Sequence, residues 1–155
     1  MALLVGAPAP SFTLAGWHKS AEQTFDLDLV RGRPVVLAFY PGDERMICTK
    51  QMCAYSDSLG DLEIFHAQVW GIAPQSVESH RNFADGRKLQ LPLLSDPDNK
   101  VAQSFGVVGA FGLRRSVFVV DTEGRIAWRW VSALNVTFPG VDAIGAALEQ
   151  LTAAA

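Results

Sequence analysis

The chain predicts an α/β fold, a central mixed sheet flanked by helices with an N-terminal β-hairpin extension, from three observations. Short apolar or branched runs at Val35–Phe39, Ala67–Ala73 and Ser116–Val120 have the length and composition of buried strands. Between and after them, apolar residues return at spacings of three and four, the stripe of helices that cover a sheet. No internal repeat, low-complexity tract or linker divides the 155 residues, so one domain spanning 1–155 is expected, large enough to stand without disulfide or metal staples.

In chain order, VGAPAPSFTL at 5–14 is an extended arm, because two prolines keep it from helix. Its end, Ser11–Leu14, alternates polar and apolar like an edge strand, with Thr24–Leu27 as the expected partner. Gly32-Arg33-Pro34 turns the chain into the first core strand, Val35–Phe39, which Pro41-Gly42 stops. Met52, Tyr55, Leu59 and Leu62 then mark a covering helix. Ala67–Ala73 is the second core strand, and Ser76 is placed to cap a helix reaching about Lys88, with Val77, His80, Phe83 and Ala84 inward.

Leu91–Leu94 leads to a short helix with Asp96 as N-cap, Pro97 at the first helical position and Gly106 at its end. Ser116–Val120 is the third core strand, and Asp121–Gly124 turns it back into Arg125–Val131. That last strand alternates Ile126, Trp128 and Trp130 with Arg125, Ala127 and Arg129, as a half-solvated edge does. Val141, Ile144, Leu148 and Leu151 predict a final helix. Parallel crossovers followed by a hairpin and a covering helix make a sandwich of thioredoxin-like type, whose active site lies beyond the carboxyl ends of the strands.

Composition removes several functions. The net charge is −3 and basic residues do not cluster beyond Arg31 with Arg33 and Arg114 with Arg115, so nucleic-acid binding is not expected. The opening MALLVGAPAP lacks the charged start and apolar run of a signal peptide, and no apolar stretch reaches membrane-spanning length; a cytoplasmic protein without a membrane partner is expected. His18, His66 and His80 are scattered, and with two cysteines they do not assemble a four-ligand zinc site, so neither metal nor cofactor is expected.

Two cysteines in a reducing compartment point to chemistry more than to structure. Both lie in FYPGDERMICTKQMC, Phe39–Cys53. Cys48 falls near the first turn of the helix that follows a core strand, where free N–H groups and the positive dipole end push a thiol toward thiolate. The competing reading is a small buried hydrophobe. Deprotonation alone accounts for little. A thiol of pKa about 8.5 is about 7% thiolate near pH 7.4, so full ionisation gains about thirteenfold at most. Larger acceleration needs groups that orient the bond under attack and stabilise charge on the leaving atom, for which Arg115, directly before a core strand, and the helix-end N–H groups are the candidates. Cys53 lies five positions after Cys48, about 140° around a regular helix, so the two sulfurs point apart and bonding them requires the first turns to unwind.

These segments resemble the peroxiredoxins over nearly the whole chain. VGAPAPSFTL is similar to the family's entrance, LPLLSD and RSVFVVDTEGRI to later segments, and FYPGDERMICTKQMC to the P-x-x-x-T-x-x-C motif with its C-x-x-x-x-C continuation in the bacterioferritin comigratory protein branch, also called PrxQ. The resemblance implies that Cys48 is the peroxidatic cysteine, Cys53 the resolving cysteine, Pro41 the shield over the site and Arg115 the arginine beside the thiolate. It implies a hydroperoxide substrate, resolution as an intramolecular disulfide, a thioredoxin-like dithiol as reductant, and a monomer or weak homodimer. Arg45 departs from the motif's Thr, Met46-Ile47 from its usual Pro-Gly, and the Gly106–Leu113 connection is short for the branch. Arg45 supplies donors only, where a hydroxyl also accepts. As a substrate-binding residue it adds a cation at the site and favours anionic or larger hydroperoxides. Asp43 and Glu44 beside it are instead expected to hold it at the surface, and Arg45→Thr is then expected to raise the rate with hydrogen peroxide about tenfold. A general disulfide oxidoreductase and a low-turnover redox sensor remain alternatives, the first weakened by the absence of C-x-x-C.

Overall fold

The computed structural model describes residues 1–154, with side chains through Leu151. Strands β1 (Thr13–His18) and β2 (Ala21–Asp26) form the N-terminal hairpin. Its two turn residues, Lys19 and Ser20, both have positive φ, 51° and 62°, the tight connection whose twist matches paired strands. After a 3₁₀ turn at Leu27–Val30 come β3 (Val35–Phe39), α1 (Met46–Asp57), α2 (Leu59–Glu63), β4 (Gln68–Ala73), α3 (Val77–Arg87) and β5 (Leu93–Ser95). A 3₁₀ turn at Pro97–Asn99 leads to α4 (Lys100–Ser104), β6 (Val108–Gly109), β7 (Gly112–Leu113), β8 (Ser116–Val120), β9 (Ile126–Val131) and α5 (Val141–Ala154).

Seven strands make one mixed sheet, ordered β2-β1-β5-β4-β3-β8-β9, and β6-β7 is a small separate hairpin. β3 runs parallel to β4 and antiparallel to β8. Every residue of β3 is buried because both faces of the sheet are covered. On one face Val36, Ala38 and Tyr40 pack with Cys48, Met52, Tyr55, Phe83, Ile144 and Leu148 from the helices. On the other, Val35, Leu37 and Phe39 meet Trp70, Phe105 and Phe118, closed over by Ala9 and Phe12 of the arm. The thioredoxin-like sandwich expected from the element order is the observed fold.

Several local expectations change. Leu93–Ser95 is a strand that joins the hairpin to the parallel strands through β1 on one side and β4 on the other. The stripe through Leu62 belongs to two helices, because the chain breaks at Ser58 (φ −109°, ψ 14°). Asp96 does not open a helix at Pro97: Asp98 and Asn99 take left-handed φ of 58° and 55°. The Asp96 carboxylate instead accepts from the N–H groups of Val101 and Ala102, at 2.9 and 3.0 Å, and so caps α4 from beyond the kink. In β9, Val120 faces Ile126 but Val119 faces Trp128, a bulge that takes the extra residue Ala127. Ile126 and Trp128 therefore pack into opposite cores rather than sharing one face. The cap at Ser76, which accepts from Ser79 N–H at 3.1 Å, and the left-handed Gly106 (φ 75°) are as expected.

Candidate active site

Cys48 occupies the third position of α1, on the loop that leaves the carboxyl end of β3, and is fully buried. The antiparallel register Phe39↔Ser116 brings the start of β8 to that same end of β3. Arg115, one residue earlier, therefore arrives beside the loop although it lies 67 residues away, and its terminal N–H₂ donates to Cys48 Sγ at 3.1 Å. Arg115 is 2% exposed. Its other terminal nitrogen donates to Gln51 Oε1, and its Nε, also buried, has no partner among the described residues. The backbone around it is fixed on both sides: Arg115 N–H donates to Asn135 Oδ1 at 2.7 Å and Ser132 N–H to the Arg115 carbonyl at 2.8 Å.

The loop itself is clamped by a cluster. Asp43 accepts on one carboxylate oxygen from Tyr40 Oη and on the other from Ser79 Oγ and His80 Nδ1, each at 2.7 Å. His80 Nε2 lies 2.9 Å from the Leu94 carbonyl, so the ring is held at both nitrogens. Burial raises the Asp43 carboxyl, but the hydrogen bond and charge of His80, with Ser79 and Tyr40, outweigh it and hold the group below the usual carboxylate value. Burial, together with the charges of Asp43 and Cys48, pushes the Tyr40 phenol well up. Gln75 completes the clamp, accepting from Asp43 N–H at 3.2 Å and donating to the Pro41 carbonyl at 3.0 Å.

Beside the start of α1 opens a cleft of about 490 Å³, with Pro41, Arg45, Ile47, Phe111, Leu113 and Arg115 in its wall, and Cys48 is buried behind that wall against Arg115. Arg45 is exposed, as expected, but neither acid beside it holds it. Asp43 is taken by His80, and Glu44 pairs with Arg87 at 3.2 Å. The guanidinium instead folds back over Gly42, where an added Cβ would lie 2.7 Å from its Nε. The expected surface pairing is thus corrected, while the side chain is exposed without it.

Cys53 lies in the same unbroken helix as Cys48, half-buried against the core, and both thiols are free. Of the predicted residues the structure brings Cys48 and Arg115 together, sets Pro41 and Arg45 with Arg115 in the cleft wall and leaves Cys53 apart. Sequence reasoning missed Asp43, Tyr40, Gln51 and Tyr55 as parts of the site. The signal for Gln51 was its place three residues after Cys48 and four before Tyr55, on the inward face of the helix.

The AhpC/TSA family model matches residues 5–129. A chloroplastic peroxiredoxin Q of Sedum lineare is 42% identical over 125 residues, 78% of this chain and 65% of that protein. A Coxiella burnetii protein provisionally named peroxiredoxin bcp is 36% identical over 138 residues, 84% of this chain and 89% of that one. The solved structure of the Xanthomonas campestris bacterioferritin comigratory protein, described for alkyl peroxide reduction activity, superposes with a TM-score of 0.83 at 26% identity, over 95% of this chain and 98% of that one.

Proposed function

The chain belongs to the AhpC/TSA family and is a peroxiredoxin, a thiol-dependent peroxidase; from that premise we propose that Cys48 is its peroxidatic cysteine and Arg115 the cation that works on it. The single observation that carries this assignment is the guanidinium N–H donated to a buried sulfur at the start of α1, at 3.1 Å.

The Cys48 thiolate attacks the terminal peroxide oxygen. An S–O bond forms as the O–O bond breaks, sulfur loses two electrons to become sulfenic acid, and the departing oxygen takes a proton to leave as alcohol or water. Arg115 stabilises the charge that develops on that oxygen, with its unpartnered Nε a donor to spare. Pro41, held by Gln75, keeps water from the sulfur. The Cys53 thiol then displaces the sulfenic hydroxyl as water, and a thioredoxin-like dithiol reduces the resulting disulfide while becoming a disulfide itself. Ile47, Leu113 and Phe111 in the cleft wall suit the hydrocarbon of an organic hydroperoxide, with Arg45 at the rim for an anionic end. The residues 1–155 act as one domain in this scheme, as a monomer or weak homodimer in a reducing, cytoplasmic setting.

Cys48→Ser tests the assignment. The variant keeps the fold, since a buried thiol gives way to a group of similar size, but consumes no hydroperoxide when followed by stopped-flow Trp fluorescence and by peroxide assay. Undiminished turnover would remove the peroxidase reading of this cysteine.

A further inference from the structure

Gly42 is buried in the reactive loop, and its φ lies outside the left-handed region, so its backbone does not call for glycine. What the residue supplies is room. A Cβ built there would meet Arg45 Nε at 2.7 Å, Arg45 Cδ at 3.2 Å and Gln75 Nε2 at 3.1 Å. Gln75 is not free to move, because its amide donates to the Pro41 carbonyl and its oxygen accepts from Asp43 N–H. Arg45 is the movable neighbour, and its side chain lies in the space that a side chain at position 42 would fill. Its charge is unspent there: among the described residues no carboxylate pairs with it. The cleft wall that it joins holds one other charged residue, Arg115, and no acid, in a chain whose net charge is −3. Arg115 is buried and donates to Gln51 and Cys48, so the accessible cation of the wall is Arg45.

We propose that Gly42 is a specificity-determining residue: its missing side chain lets Arg45 lie along the cleft wall, where the unpaired guanidinium forms a subsite for the carboxylate of an acid-bearing organic hydroperoxide. The proposal rests on the peroxidase reading for the peroxide, but not for the anion. A guanidinium presents its N–H groups as a planar fork that fits the two oxygens of a carboxylate. Met46, Ile47 and Phe111 in the same wall meet the hydrocarbon between the two ends of such a substrate. Hydrogen peroxide has neither an acid nor a hydrocarbon and gains nothing from the subsite. Gly42→Ala and Arg45→Gln therefore act on one contact by different means. The first displaces the charge and the second removes it. Both keep the fold, because the added methyl presses on the outer part of a flexible side chain and Arg45 itself is exposed.

The test pairs cumene hydroperoxide with its para-carboxylate, which share ring and peroxide and differ by one charge. Oxidation of the reduced protein is followed by stopped-flow Trp fluorescence, and the readout is the ratio of the two rate constants, carboxylate over neutral. Arg45→Gln should lower that ratio about fivefold, the effect of one exposed ion pair of good geometry. Gly42→Ala should lower it about as much with every charge retained. The double variant should fall no further than Arg45→Gln alone, because one contact is lost only once. In parallel, para-isopropylbenzoate, the same skeleton without the peroxide, is titrated by ligand-observed NMR, and its Kd should rise about fivefold in each single variant. An unchanged ratio and Kd in Gly42→Ala, or losses that add in the double variant, would overturn the role of Gly42. No saturable binding of para-isopropylbenzoate to the unaltered protein, or an unchanged Kd in Arg45→Gln, would overturn the subsite. If the unaltered protein consumes neither hydroperoxide, the peroxidase reading fails, while the benzoate titration still decides the subsite and its dependence on Gly42.

Discussion

Asp43 holds the reactive loop with three side-chain donors on one carboxylate, and this gives the loop a pH limit. Its carboxyl is held below the usual value in the folded chain. The stabilisation is therefore complete above about pH 4, where an unfolded Asp is ionised, and is lost as pH falls through the lower folded value. Asp43→Asn should cost about 3 kcal/mol at neutral pH, since an amide cannot accept from all three buried donors that the carboxylate holds, and should flatten the acid limb of stability. Urea unfolding from about pH 3 to 7 measures both. An Asn variant as stable as the parent would show that the clamp is not electrostatic. At this scale the sequence was informative where residue type alone implies chemistry: a thiol at a helix start and an arginine before a core strand. It was silent on Asp43, because its nearest cation along the chain is Arg45 and its partner in space lies 37 residues away on α3.

Helix α1 carries both cysteines in twelve continuous residues, five positions apart, so it must open for them to meet. Sulfurs in a disulfide hang from Cβ atoms about 3.8 Å apart, a distance that opposite sides of a helix do not allow. One equivalent of peroxide should yield a monomer lighter by about two hydrogens, and amide exchange within Met46–Asp57 should rise in that oxidised form. A lasting sulfenic acid or a cross-linked dimer as the main product would remove Cys53 from its role. Existence and order of the long elements were legible, because strand runs and helical stripes repeat over many residues. The short ones were not. β5 has three residues behind Pro92, and β6 and β7 have two each, too few for any periodicity. The break at Ser58 falls inside a stripe that continues across it.

Across the whole molecule, one sheet covered on both faces fixes the site through its ladder. The resemblance of residues 5–129 to a family anticipated the architecture, but only the pairing Phe39↔Ser116 explains why Arg115 reaches Cys48. Along β8, Val117 and Val119 point to the core that contains Cys48, and Phe118 and Val120 to the other. Arg115 is in step with the first pair, so its place is a matter of parity. One alanine inserted between Phe118 and Val119 would turn either that arginine or the strand's remaining residues onto the wrong face. Peroxide consumption should vanish in that variant, whereas an insertion between Lys19 and Ser20, exposed at the tip of the β1–β2 hairpin, should leave it within about twofold. Survival of activity in the β8 insertion would mean that something other than the ladder aims Arg115. Natural relatives should accordingly differ in length at that tip and keep an invariant count of residues from position 115 to 120, a frame as strict as any catalytic side chain and invisible to a search for conserved letters.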